Sequence, residues 1–154
     1  MSRAASLFLL LLVTGCAYQH PLYPTPSLRV WLTHINTVKI DLPEQTYRVR
    51  LRIQNPNSYP LSAIGLYLHL HLDDAHLSHG VTHEPFGLAA LSEARIDMEV
   101  VSRDPGMAEL VRWAQAPNYG HLPYEIEGRM VLSNDIPPVE FSAKGSLGQP
   151  VYKK

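Results

Sequence analysis

The fold is decided by residues 47–72, which read YRVRLRIQNPNSYPLSAIGLYLHLHL. Up to Ile53, an apolar side chain at every odd position alternates with an arginine at every even position. A period of two predicts a half-buried antiparallel strand with one solvated face. A second alternation then predicts that Ile64, Leu66, Leu68, Leu70 and Leu72 point inward and that Tyr67, His69 and His71 point outward. Gly65 interrupts this run and suggests a bulge or a close backbone approach.

The step between these two strands is Asn55-Pro56-Asn57. Pro56 has no N–H to donate to a ladder, and it biases Asn55 towards extended geometry. Asn57 tolerates the left-handed conformation and can bond nearby backbone. Because Pro60 resets the chain before the next strand, we expect two strands joined by a turn that is bracketed by prolines.

The other segments also alternate, except one. A first strand region covers residues 28–42, with a bulge or break near residues 34–36 because Ile35 is out of phase. Further strands are expected at residues 77–86, 94–100, 124–132 and 139–147. Asp104 and Pro105 are a good N-cap and first helical residue, and apolar side chains then recur at helical spacing.

These segments predict an all-β fold of about seven strands plus one short helix near residues 105–115. Turn signals at this spacing are typical of a two-sheet antiparallel β-sandwich, of the fibronectin-III or immunoglobulin-like kind. A single cysteine excludes the disulfide that pins antibody-type domains. The expected domain spans residues 28–147, and residues 148–154 are expected to form a flexible tail.

Composition narrows the class of protein. The chain has 154 residues, enough for one ordinary domain. Its 13 basic and 14 acidic residues leave no basic field for a nucleic acid. An apolar fraction of 45% is typical of a folded protein and not of a disordered one.

The first 15 residues resemble a bacterial lipoprotein signal peptide. Arg3 is followed by the apolar run LFLLLLV, which is too short for a permanent membrane span. The run ends in Val13-Thr14-Gly15-Cys16, which resembles a lipobox. The thiol of Cys16 would receive a diacylglycerol, and acyl chains such as palmitate would anchor the protein stably only in combination. The alternative is a free thiol behind an ordinary or uncleaved signal.

Residues 16–27 are then a lipidated tether that is rich in proline and semi-rigid; a ligand for a proline-binding module is the alternative. Ala17 follows the lipidated position, and the absence of aspartate there favours the outer membrane by resemblance to proteobacterial lipoproteins. The expected location is the periplasmic side of the outer membrane, held through the lipid on Cys16.

The run VRLRIQNPNSYPL at residues 49–61 resembles the signature of the late embryogenesis abundant type 2 family, also described as the water stress and hypersensitive response (WHy) domain. The resemblance continues through IGLYLHL at residues 64–70 and LSHG at residues 77–80, where Gly80 is the family glycine. It extends over residues 28–147 and is strongest over residues 47–101. The connector at residues 88–90 lacks the proline often seen in the family, and plant members lack the lipobox.

This resemblance implies a folded β-sandwich and a role in protection during desiccation or other water stress. It supplies no catalytic residue, so Asn55, Pro56, Asn57 and Gly80 are interpreted as structural. We therefore expect a non-enzymatic envelope protein. The alternative is an envelope binding or assembly module for a hydrophobic ligand or a protein partner, with Trp31, Tyr67 and Trp113 as possible anchors.

Two side-chain sets could carry a site. The arginines at positions 48, 50 and 52 could bind an anion, but cross-strand pairing with Asp97, Glu99, Glu125 or Glu127 is the simpler interpretation. Six of the eight histidines lie between His69 and His121. Their spacing does not force them to converge on a metal, and solvated histidines are the simpler interpretation.

The sequence contains no nucleophile elbow, phosphate loop or dinucleotide fingerprint. We therefore expect no catalytic residue, no metal and no cofactor.

Overall fold

The computed structural model describes residues 25–73, 76–116 and 121–148. The predicted signal peptide, Cys16, most of the tether and the tail from residue 149 onwards lie outside these ranges. The strands and the helix are β1 (Arg29–Asp41), β2 (Glu44–Gln54), β3 (Leu61–Leu72), β4 (His76–Thr82), β5 (Phe86–Leu88), β6 (Glu93–Ser102), α1 (Met107–Ala114), β7 (Leu122–Leu132) and β8 (Val139–Leu147).

The strands form one antiparallel sheet in the order β1-β2-β6-β4-β3-β7-β8, and β5 pairs with β3. β4 and β6 pair at a single position, where His79 lies opposite Val101. The two ends of the path, β1 and β8, contact each other. The sheet therefore curls into a half-barrel around its apolar side chains.

The mostly antiparallel β fold with one short helix is confirmed. The two-sheet, immunoglobulin-like sandwich is not, since one hydrogen-bonded path joins the strands. The described residues form eight strands, where about seven were expected. The additional strand is β5, three residues that pair with the start of β3 across Leu61–Leu88 and Ala63–Phe86.

The core follows the predicted alternation. In β2, Tyr47, Val49, Leu51 and Ile53 are all fully buried, and the arginines between them lie on the outer face. In β3, buried leucines from Leu66 to Leu72 cover the opposite wall. Met107, Leu110 and Val111 bury one face of α1 against this core. Full burial of each such aliphatic side chain is worth about 1.5–3 kcal/mol.

Ile64 is a wrong prediction, because it lies outside with 47% of its surface exposed. The pairing of β3 with β7 shifts register between Ala63 and Gly65, so the extra residue at the bulge turns away from the core. The bulge suggested by Gly65 is thereby confirmed.

The bulge predicted in the first strand is also confirmed, as a register shift between Leu32 and His34. A second shift follows between Thr37 and Lys39. Past it, the strand continues to Asp41 but no longer reaches the core. Val38, Ile40 and Leu42 are 45%, 54% and 74% exposed, so the alternation of apolar and polar residues at positions 38–42 does not mark a buried face.

The predicted helix is present, but it begins two residues late. Gly106 is the N-cap and makes no side-chain capping bond. Asp104 instead accepts the N–H of Gly106 on Oδ1 at 2.9 Å, and Met107 donates to the Asp104 carbonyl at 3.2 Å. Asp104 and Pro105 thus form a turn that leads into the helix. None of the helices among the described residues is long and apolar enough to cross a membrane.

Candidate functional site

The asparagines of the Asn-Pro-Asn step lie at the end of the half-barrel where the described chain begins. Asn55 is fully buried, which the sequence did not predict, and its main-chain N–H donates to the carbonyl of Ser92 at 2.8 Å. Its side-chain amide Nδ2 lies within hydrogen-bond distance of three carbonyl oxygens, those of Tyr59 (2.9 Å), Ala89 (3.0 Å) and Leu88 (3.2 Å). Only an amide nitrogen suits this position, because each neighbour is an acceptor.

The other half of the Asn55 amide holds Asn57. The Oδ1 atom of Asn55 accepts the main-chain N–H of Asn57 at 3.0 Å and its side-chain Nδ2 at 2.7 Å. Asn57 in turn exchanges two hydrogen bonds with Ser27, which precedes β1. The Asn57 carbonyl accepts the N–H of Leu91 at 3.0 Å.

We call Asn55 and Asn57 the asparagine clamp. It joins three separate parts of the chain: the approach to β1, the β2–β3 turn and the loop between β5 and β6. These neutral amides satisfy backbone groups that would otherwise be buried without partners. The clamp can therefore hold these loops together.

Gly80 has a different physical role. It is buried in β4, opposite Leu68 of β3, where β4 also approaches β6. A Cβ atom at this position would lie 2.3 Å from the carbonyl oxygen of Glu99 and 2.8 Å from a methyl of Val100. The close approach of β6 to Gly80 therefore requires a residue without a side chain at this position.

The arginine stripe on β2 is paired with the acidic residues of β6. Arg50 lies opposite Asp97 and donates to both carboxylate oxygens, at 2.7 and 2.8 Å. Arg48 lies opposite Glu99 and donates to it at 3.0 Å. The hydrogen bond from Arg50 lowers the pKa of the Asp97 carboxyl. Cross-strand pairing is thus confirmed for Asp97 and Glu99.

Arg52 differs from its two neighbours. Its guanidinium lies over the ring of Trp31, 4.4 Å from the centroid, and its Nε is 3.9 Å from a carboxylate oxygen of Glu93. That Nε is buried and lacks a hydrogen bond of normal geometry. Cation–π contact with Trp31 therefore contributes to holding this side chain.

The remaining acidic candidates lie elsewhere in the sheet. Glu125 and Glu127 are on β7. Glu125 forms an ion pair with Lys144, whose Nζ lies 2.9 Å from the carboxylate Oε2. Since β7 is separated from β2 by three other strands, these carboxylates are not partners of the arginine stripe.

Histidines of the neighbouring strands β3 and β4 lie side by side without converging. His69 of β3 lies opposite His79 of β4 on one side and Glu127 of β7 on the other. Farther along, the rings of His83 and Tyr67 meet edge to face at 6.3 Å. In residues 25–73, 76–116 and 121–148, no three histidine, cysteine or carboxylate groups are arranged to hold a metal ion.

A groove of about 600 Å³ runs beside this face between β3, β7 and β8. Its lining combines aromatic, basic and acidic side chains: Tyr67, His69, Glu127, Arg129, Glu140, Phe141 and Ser142. The Arg129 guanidinium lies over the Tyr67 ring at 5.3 Å. Because charged side chains of both signs line the groove, it does not favour an apolar ligand.

The three aromatic anchor candidates do not form one surface. Trp31 lies on β1 under Arg52, and Tyr67 lies on β3, with three strands between them in the sheet. Trp113 is on α1 and 42% exposed. The fold therefore does not bring these three side chains together in a single aromatic binding surface.

A series of buried hydrogen bonds at the other end of the half-barrel was not predicted from the sequence. The Tyr47 hydroxyl donates to Oε1 of Gln45, and the Gln45 amide donates to the Asp104 carbonyl at 3.0 Å. Burial, reinforced by the negative charge of Asp104, raises the pKa of Tyr47 to about 12. The available signal was Gln45, which is in phase with the buried side chains of β2.

The chain is similar in sequence to a known protein family. Residues 50–145 match the family model described as late embryogenesis abundant protein. A search of curated proteins found no match.

Solved structures resemble this chain at low sequence identity. A solution structure from Arabidopsis thaliana is 18% identical with a TM-score of 0.50, and the alignment covers 84% of each chain. A solution structure of a candidate late embryogenesis abundant protein is 12% identical with a TM-score of 0.45, covering 85% of this chain and 76% of that one. A crystal structure from Archaeoglobus fulgidus is 7% identical with a TM-score of 0.38, covering 80% and 97%.

Proposed function

The chain belongs to the late embryogenesis abundant type 2 family, and we propose that it is a non-enzymatic, lipid-anchored envelope protein that protects against desiccation and osmotic stress. One observation carries the proposal. A sequence that resembles a lipobox, Val13-Thr14-Gly15-Cys16, precedes a domain of this family in the same chain. Lipidation of Cys16 would place the domain at the periplasmic side of the outer membrane.

The proposed anchor at Cys16 would bring one end of the domain closer to that membrane than the other. The described chain enters the sheet beside Asn57, which binds Ser27. The eleven residue-to-residue steps from Cys16 to Ser27 can extend at most about 40 Å. The asparagine-clamp end would therefore lie nearer the lipid, and the β1–β2 hairpin with α1 would face away from it.

The surface supports a protective role that needs no catalysis. The face made by β2 and β6 is dense in charge, yet its arginines and carboxylates pair across the strands. Such a face stays hydrated without attracting strongly charged neighbours. We propose that the anchored domain keeps envelope components apart and hydrated as water is lost.

A genetic experiment with a localisation control tests this proposal. A deletion strain would be complemented with the wild-type chain or with Cys16→Ala, then dried or exposed to osmotic shock. We expect reduced survival on deletion, rescue by the wild type and weak rescue by Cys16→Ala, with wild-type protein in the outer-membrane fraction. Unchanged survival of the deletion strain under both stresses would refute the protective role.

The alternative is an envelope binding or assembly module, and one observation favours it. Val38, Ile40 and Leu42 expose apolar surface at the end that would face away from the anchor. Exposed apolar side chains in one place mark a site of contact. Binding of the full chain to envelope lipids or to a defined envelope protein, lost on Ile40→Lys, would support this function; no binding to either would count against it.

A further inference from the structure

The β1–β2 hairpin ends in an exposed segment, residues 38–42, which we call the apolar arm. It reads VKIDL. Its three apolar side chains are each at least 45% exposed, although two of them belong to β1 and the third to the turn that follows it. An exposed apolar strand at the edge of a sheet is a site where another strand can add.

Within the described residues, the edge of β1 that faces away from β2 pairs with no strand along the arm. Within the described residues, β2 is the sole strand paired with β1. On the other side, the Gln115 amide donates to the Ile35 carbonyl at 3.2 Å and reaches Asn36 Oδ1 at 3.4 Å. This side chain covers the edge as far as Asn36, and the arm begins two residues later.

The register with β2 determines which backbone groups face outward. Asp41 pairs with Glu44 across the two-residue turn, and Lys39 pairs with Thr46. In an antiparallel ladder, hydrogen-bonded pairs alternate with non-bonded pairs. Since the pair that closes a two-residue turn is a bonded one, Ile40 directs its N–H and C=O away from β2, towards the free edge.

We infer that the apolar arm pairs with the arm of a second copy of this chain, antiparallel and about a two-fold axis at Ile40. In that register Ile40 faces Ile40 of the second copy, and their main chains exchange two hydrogen bonds. Lys39 faces Asp41 of the second copy, and the converse pair forms by symmetry. Val38 and Leu42 extend the apolar contact on either side.

The charge pattern favours a second copy over an unrelated strand. Lys39 and Asp41 already pair within one chain, at 2.9 Å on the outer face. Antiparallel pairing places a second lysine–aspartate pair beside the first with opposite charges adjacent. A parallel arrangement in register would instead place like charges side by side.

The inner face has space for the partner side chain. Ile40 lies opposite the inward-facing Gln45 and lines a groove of about 410 Å³ with Pro105 and Ala108 beside α1. The second copy's Ile40 would enter this groove. Since the two domains then lie at opposite ends of the paired arms, only the arms need to meet.

The resulting interface is small and well below the size of stable dimers, so we expect weak association that depends on concentration. The matched pair of variants is Ile40→Lys and Ile64→Lys, because both isoleucines are about half exposed, at 54% and 47%, and only Ile40 is in the arm. Sedimentation equilibrium of the full chain in detergent should show dimers for the wild type and Ile64→Lys. We expect Ile40→Lys to weaken dimerisation at least about tenfold.

A charge exchange separates strand pairing from nonspecific contact. Lys39→Asp and Asp41→Lys each place like charges opposite in the two-fold register, and each should weaken dimerisation by roughly tenfold. The double variant Lys39→Asp/Asp41→Lys restores opposite charges and should restore dimerisation. A wild type that stays monomeric up to millimolar concentration, or a dimer that Ile40→Lys leaves intact, would overturn the inference.

Discussion

The side-chain oxygen of Asn55 accepts two hydrogen bonds from Asn57, one from its main-chain N–H at 3.0 Å and one from its side-chain amide at 2.7 Å. The first of these closes a turn of the kind that an asparagine before a proline is expected to make. The second passes the connection on to Ser27, so the turn between β2 and β3 also fixes the entry of the chain into the domain.

The Asn55→Asp substitution should destabilise the domain although it keeps the shape of the side chain. The carboxylate cannot donate to the carbonyls of Tyr59, Leu88 and Ala89, and it would place a negative charge among them. We expect the free energy of unfolding to fall by about 3 kcal/mol. Urea unfolding followed by circular dichroism measures it.

The control for this prediction is Asn36→Asp, the same chemical change at an exposed position in β1. We expect Asn36→Asp to change the free energy of unfolding by less than about 0.5 kcal/mol. Equal effects at the two positions would show that burial of Asn55 is not what makes it sensitive.

The Gly80→Ala substitution tests the close approach of β4 and β6 at Gly80. The added methyl group would overlap the Glu99 carbonyl, at 2.3 Å, and backbone cannot move aside as a flexible side chain can. We expect a loss of about 3 kcal/mol in the free energy of unfolding. Gly87→Ala is the matched control, because a Cβ there has nothing within 4 Å. A Gly80→Ala variant as stable as Gly87→Ala would contradict the proposed close approach.

The sequence predicted most of β2 and β3, because a period of two is visible wherever a strand is regular and buried on one face. The buried odd positions of β2 and the buried leucines of β3 follow it without exception. The pattern failed where an extra residue enters a ladder. Ile64 and Ile40 look like core residues in sequence, and register shifts at Ala63/Gly65 and Thr37/Lys39 set their surroundings instead.

The asparagine clamp was predicted only in part. The turn itself is local, so Pro56 and Asn57 indicated it. The burial of Asn55 depends on carbonyls of Leu88 and Ala89, which are more than thirty residues away. A single sequence contains no signal for such a contact, and the curled sheet that creates it was expected to be two separate sheets.

The Arg50–Asp97 pair should contribute little to stability, and only at pH values where Asp97 is ionised. Because the hydrogen bond from Arg50 lowers the carboxyl pKa, any stabilisation is present above the unfolded value near 4 and is lost as the pH falls through the folded pKa. Both side chains are more than 40% exposed, so solvent screens the pair. A double-mutant cycle with Arg50→Gln and Asp97→Asn should give a small coupling at pH 7 that weakens as the pH falls below about 4 and that is screened in about 1 M salt. A coupling unchanged by pH would contradict the ionic origin.

Tyr47 should make the domain less stable in alkaline solution. Its pKa is raised to about 12 in the folded state because burial disfavours the phenolate. A raised folded pKa means that stability is fully present below the unfolded value of about 10 and is lost as the pH rises towards 12. A shift of about two pH units corresponds to a loss of about 3 kcal/mol.

Urea unfolding between pH 9 and pH 12 measures this loss, and Tyr47→Phe provides the comparison. The variant should be about 1 kcal/mol less stable at pH 8, because Gln45 loses its hydroxyl donor, but should lose less stability on going to pH 12. A smaller alkaline loss should remain in the variant, since burial also raises the pKa of Tyr124. An equally steep alkaline loss in Tyr47→Phe would show that another group controls it.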